Sequence, residues 1–104
     1  MTTQGNGQPV RYFVSMSQAI KAGLKQLHLQ AMQAGTGQQV VAAYRDIIER
    51  LQKDPLNFGE PQYRLPALRL LVCQAIVRPL VVDFAVHEDR PLVFIRSFRL
   101  LSPG

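Results

Sequence analysis

Pro66–Pro103 reads PALRLLVCQAIVRPLVVDFAVHEDRPLVFIRSFRLLSP, and this stretch decides the fold. Leu68–Val77, Leu80–Val86 and Pro91–Leu101 are apolar runs dominated by Val, Ile, Leu and Phe. Arg78-Pro79 separates the first two, and His87-Glu88-Asp89-Arg90 separates the last two. β-branched and aromatic residues fit a pleated, half-buried surface, whereas Pro and clustered charge break it. The pattern predicts a three-strand antiparallel meander with strands near 68–77, 80–87 and 92–101. In the middle strand Leu80, Val82, Phe84 and Val86 share one face and Val81, Asp83, Ala85 and His87 the other. The first set is the expected core face. The last strand is apolar on both faces, which predicts a central strand or one covered on both sides.

Upstream of the meander the period changes from 2 to 3.6. Ile20, Leu24, Leu27 and Ala31 fall on one helical face, and Val40, Tyr44, Ile47, Ile48 and Leu51 on another. These patterns predict helices over 18–34 and 38–53. Ser15 or Ser17 can cap the first, through an S-x-x-Q box at Ser15–Gln18, and Thr36 with Gln39 forms a second such box. Lys21, Lys25 and His28 lie beside the first stripe and should see solvent. Asp46/Arg50 and Glu49/Lys53 are spaced i,i+4 in the favourable order. Gly35-Thr36-Gly37 ends the first helix and Asp54-Pro55 the second, so the two form an antiparallel hairpin. Val10–Met16 reads as a first strand. Leu56–Pro66 reads as a loop that Phe58 and Tyr63 pin to the core, and Met1–Pro9, polar and rich in Gly and Gln, as a disordered tail. The expected organisation is a tail over 1–9 and a single α+β domain over 10–104, with a four-strand sheet carrying the hairpin on one face.

Composition narrows the function classes. At 104 residues with 47% apolar content the chain can bury a core. No segment reaches the length of about 20 apolar residues that a membrane helix needs, and the start lacks secretory-signal character. The expectation is a cytoplasmic protein with no membrane association. Cys73 is the single cysteine, which excludes an internal disulfide and reads as a small core residue. His28 and His87 stand alone in their segments, so neither a metal nor a cofactor is expected. His87, beside Glu88 and Asp89, reads first as a solvated turn residue and second as a general acid or base.

The net charge is +5, no Asp or Glu precedes Asp46, and every basic residue from position 64 onward is Arg. Arginine presents a planar fork that matches phosphate or carboxylate oxygens in pairs, so a polyanion or an acidic partner is the expected ligand. Arg69, Arg78, Arg96 and Arg99, all assigned to the meander and its turns, are the candidate binding residues. The competing reading pairs them with Asp83 or Glu60, or places them as solvated surface side chains. No Gly-rich phosphate loop precedes a helix.

The order strand, helical hairpin, meander resembles the RelE/ParE superfamily of toxins from type II toxin–antitoxin systems. The resemblance spans residues 10–101 and is carried by Leu51, Asp54-Pro55, Gly59, Tyr63-Arg64 and Arg78. It implies a toxin held by a cognate antitoxin. It also implies one of two targets, messenger RNA on the ribosome or DNA gyrase. In the nucleases of that superfamily, cleavage without a metal uses basic residues on the meander, often with a C-terminal Tyr or His. This chain departs from that pattern. Leu71 stands where a second basic residue often falls, Pro79 follows Arg78, and after Arg99 come only Leu100, Leu101, Ser102, Pro103 and Gly104. The resemblance therefore implies the fold more strongly than a metal-independent endoribonuclease. The alternative is a non-catalytic RelE/ParE-fold domain that binds protein.

Overall fold

The computed structural model describes residues 10–101, so the expected tail at Met1–Pro9 lies outside the described residues. Strand β1 (Phe13–Ser15) leads into helices α1 (Gln18–Gln33) and α2 (Gly37–Lys53). A 3-10 turn at Pro55–Asn57 precedes β2 (Glu60–Leu65), and a second at Pro66–Leu68 precedes β3 (Leu70–Val77). Strands β4 (Leu80–His87) and β5 (Leu92–Leu100) complete the chain. The α+β class, the hairpin and the meander are as the sequence patterns predict. The strand count is not: the sheet has five strands in the order β1-β5-β4-β3-β2.

The added strand is Glu60–Leu65, within the segment expected to be a loop. Its Pro61 and its exposed side chains hide the period-two signal, because an edge strand tolerates Pro and has little to bury. Pairing with β3 is antiparallel, with an irregularity between Pro61 and Tyr63. Tyr63 is half exposed rather than pinned to the core. Phe58 is buried as expected and stacks on Phe84, with ring centroids 5.7 Å apart. At the other edge β1 is shorter than the expected 10–16 and runs parallel to β5.

The helices cover one face of the sheet. Leu80, Val82, Phe84 and Val86 of β4 are fully buried with Ile47 and Leu51 of α2, which places the core on the predicted face. A bulge explains why β5 reads as apolar on both faces. Phe84 pairs with Ile95 and Asp83 with Ser97, so Arg96 is the extra residue. One inserted residue reverses the alternation. Val93 and Ile95 therefore face the helices before the bulge, and Phe98 and Leu100 after it.

Helix ends follow local chemistry. Ser17 is the N-cap of α1 and its Oγ accepts from the Ile20 amide at 3.2 Å. The Ser17→Ala variant is expected to lose about 1 kcal/mol, readable as a lower urea midpoint with an unchanged slope. Neither expected S-x-x-Q box forms, since Ser17 rather than Ser15 caps α1 and the Thr36 side chain makes no cap bond to α2. Thr36 is the N-cap of α2, but its Oγ1 donates to the Ala31 carbonyl at 3.3 Å and so closes α1 instead. Both expected i,i+4 pairs are present, Arg50–Asp46 at 3.2 Å and Lys53–Glu49 at 2.8 Å.

Candidate functional site on the open sheet face

β3 and β4 each place one polar residue in the middle of an apolar run, β5 places Arg96 and Ser97 side by side, and pairing brings Gln74, Asp83 and Ser97 into one row. Gln74 of β3 lies opposite Asp83 of β4, which lies opposite Ser97 of β5. All three point to the face without helices. Gln74 Nε2 donates to one Asp83 oxygen at 2.9 Å, and Ser97 Oγ donates to the other at 2.7 Å. The carboxylate is thus held from both sides in the centre of the sheet, while its outward direction is left open. A half-buried carboxylate needs such partners, since desolvation otherwise penalises the charge.

The neighbouring row runs Tyr63, Val72, Ala85, Phe94, with aromatic residues at its ends and small ones between. No helix covers this face, yet Val72 and Ala85 are only 3% and 1% exposed. Arg96 reaches across this face. Its Nη1 donates to the Tyr63 hydroxyl at 2.7 Å, although the two residues sit on β5 and β2. Neighbouring strands are about 4.8 Å apart, so a bond between these side chains has to pass over β4 and β3. Arg96 and Tyr63 together form a strap above the small residues. Beside it opens a cleft of about 500 Å³, lined by Gln62, Tyr63, Val72, Gln74, Asp83, Arg96 and Ser97.

The four predicted arginines do not form one cluster. Arg96 belongs to this cleft, and Arg99 stands on the same face opposite Val81. Arg78 lies in the β3–β4 turn, at the end of the sheet where Arg99 lies. Neither Arg78 nor Arg99 makes an ion pair among the described residues. Arg69 is elsewhere. It is not on β3 but just before it, in the left-handed conformation with φ 58°, at the opposite end of the strand from Arg78. There it bonds Asp89 at 2.7 Å, beside the Arg64–Glu88 pair. The hydrogen bond from Arg69, ahead of its charge, holds the Asp89 carboxyl below the usual range. None of these arginines takes Asp83 or Glu60 as an ion-pair partner.

His87 closes β4, and its Nδ1 accepts from the Asp89 and Arg90 amides at 3.0 and 3.1 Å. This is turn chemistry, in keeping with the first reading of that residue. Cys73 is buried against the helices, and burial pushes its thiol pKa up, which disfavours the thiolate. No group of three or more potential metal ligands occurs among the described residues. Tyr63, Gln74, Asp83 and Ser97 are the site residues that charge counting passes over. For Gln74, Asp83 and Ser97 the signal was a polar residue inside an apolar run, which becomes a site only once the register is known.

No family model matches the chain, and no curated protein matches it in sequence. Among solved structures, the chain is similar to one chain of the toxin–antitoxin complex RelBE2 from Mycobacterium tuberculosis. The TM-score is 0.65 at 17% identity, covering 92% of this chain and 98% of that one. The fold is RelE/ParE-like. The near-complete coverage on both sides means that the five-strand sheet and hairpin correspond as a whole, not through a shared fragment. Identity this low carries the architecture and leaves the chemistry to the residues of the open face.

Proposed function

We propose that this chain is the toxin-like component of a type II toxin–antitoxin module, that its open sheet face binds RNA, and that its helical hairpin seats an acidic antitoxin. The observation that carries the reading is the end-to-end correspondence with a chain of a toxin–antitoxin complex. Charge placement supports the two surfaces. Arg96 and Arg99 face outward on β5, and Arg78 sits at the same end of the sheet as Arg99, so a phosphate chain has cationic partners along one side. If RNA is cut there, these guanidinium groups stabilise the charge that develops on phosphate.

On the other side of the molecule Leu24, Val40, Val41 and Tyr44 floor a groove between α1 and α2, edged by Lys21, Lys25 and His28. No acidic residue precedes Asp46 in the sequence, so this groove favours an amphipathic segment with carboxylates along its rim. The second reading, a non-catalytic interaction domain, is favoured by one feature. Asp83 puts a negative charge in the middle of the open face, where phosphate would be repelled.

Three arms of one experiment separate these readings. The purified chain is incubated with ribosomes carrying message, RNA affinity is measured against salt, and growth is followed on induction with and without the adjacent gene. The expected outcome is message cleavage, growth arrest relieved by the adjacent product, and RNA binding that weakens with salt. Replacing Arg78, Arg96 and Arg99 with Gln should remove three phosphate contacts. The slope of log affinity against log salt should then fall by about 2, given about 0.7 per contact on single strands. Growth arrest with intact message would point to gyrase instead, checked by adding the chain to a gyrase supercoiling assay. A parent that neither binds RNA nor slows growth, but co-purifies with the adjacent product, leaves the interaction domain.

A further inference from the structure

We infer that the cleft beside the Arg96–Tyr63 strap is a reader for a single unpaired guanine base. The inference deepens the RNA-binding reading of this face, and it names a ligand that the arginines alone do not select. The starting point is Asp83. A carboxylate at the centre of an otherwise cationic surface weakens phosphate binding, so its value to a nucleic-acid site lies in accepting N–H groups. Each Asp83 oxygen already takes one bond, from Gln74 or from Ser97. An ionised carboxylate has about four acceptor positions, so each oxygen retains capacity for one more bond. Two acceptors on one carboxylate match two adjacent donors on a base edge. Guanine is the base whose pairing edge has such donors, at N1 and N2. Adenine and cytosine each offer one exocyclic amine beside an acceptor, and uracil offers one N–H between two acceptors.

The rest of the cleft suits a base rather than a phosphate. Unstacked bases are held on aromatic rings or arginine planes while their edges are read. The strap supplies both surfaces, since Arg96 and the half-exposed Tyr63 meet at 2.7 Å above Val72. Gln74 and Ser97 orient the carboxylate from either side, so its direction does not depend on the ligand. Gln62, also at the rim, adds an amide within the same cleft. A cleft of about 500 Å³ has room for a purine base.

The test uses the full chain and fluorescently labelled hexauridylates with one central base replaced by G, A, C, inosine or 1-methylguanine, read by anisotropy. The G oligomer is expected to bind about tenfold or more tightly than the A oligomer, the scale of a two-bond base contact. Inosine lacks the N2 amine and should lose part of that preference. 1-Methylguanine lacks the N1 donor and should lose nearly all of it. These arms leave the protein unchanged, so no folding defect can confuse them. Asp83→Asn should bring G and A within about twofold while A binding holds or improves, because a repulsive charge is gone. Equal binding of G and A by the parent, a preference that survives N1 methylation, or no binding of any oligomer overturns the inference. A guanine preference in a chain that neither cuts message nor slows growth would retain the reader and remove the toxin reading. Cleavage with no guanine preference would do the reverse.

Discussion

Phe84→Ala is expected to lower the unfolding free energy by about 3–5 kcal/mol, the usual loss when a fully buried aromatic is truncated. Phe84 has no exposed surface and sits in the central strand, so no solvent can fill the space it leaves. Its ring stacks on Phe58, with centroids 5.7 Å apart and planes within 15°. Phe58 in turn lies under the Arg50 guanidinium, 5.6 Å from its centroid. Truncation therefore opens a cavity and also loosens the joint between α2 and β2, because Phe58 is the residue that ties this connection to the sheet. Urea unfolding followed by circular dichroism measures the effect, with Phe94→Ala as the companion. Phe94 lies on the open face and is partly exposed, so its loss should be clearly smaller. Equal midpoints for Phe84→Ala and the parent would place the core on the wrong face of the sheet.

The helices and the meander were legible because each buries a stripe whose period is written in the residues. Leu80, Val82, Phe84 and Val86 recur at a spacing of two within an apolar run, and Val40, Tyr44, Ile47, Ile48 and Leu51 repeat at helical spacing. Strand β2 was not legible. It pairs along one edge, exposes most of its side chains and contains Pro61, so its evidence is backbone hydrogen bonding, which leaves little trace in composition. The β5 bulge was hidden for a related reason. Its inserted Arg96 shifts the parity of the strand, and only the pairing with β4 reveals it. That same insertion sends Arg96 over the open face to Tyr63, so the feature that obscured the strand pattern also builds the strap. Arginine enrichment pointed to the C-terminal half of the chain. It could not separate Arg96 and Arg99 from Arg69, whose bond to Asp89 joins residues twenty positions apart. The Gln74–Asp83–Ser97 row is a product of register across three strands, and no local window contains it.

Gly59→Ala is the second variant with a large expected effect, and Gly35→Ala is its control. Both glycines have positive φ, 83° at Gly35 and 86° at Gly59, so any side chain there meets the left-handed penalty of about 1–2 kcal/mol. Their surroundings differ. A Cβ at Gly35 meets nothing within 4 Å. A Cβ at Gly59 would come within 2.5 Å of the Gln74 carbonyl oxygen and 2.9 Å of the Ala75 Cβ. Neither neighbour is a flexible side-chain end, so the entry to β2 has to move away from β3. Overpacking of that kind costs a further amount of about 1–3 kcal/mol, which puts Gly59→Ala at about 2–5 kcal/mol in all. Equal losses in the two variants, measured by urea midpoint, would show that conformation alone sets the cost. The displacement would also reach the open face, since Gln74 positions one oxygen of Asp83 and β2 carries Tyr63. Gly59→Ala should therefore weaken base discrimination at temperatures where the chain is still folded, while Gly35→Ala, at the far end of the hairpin, leaves it unchanged.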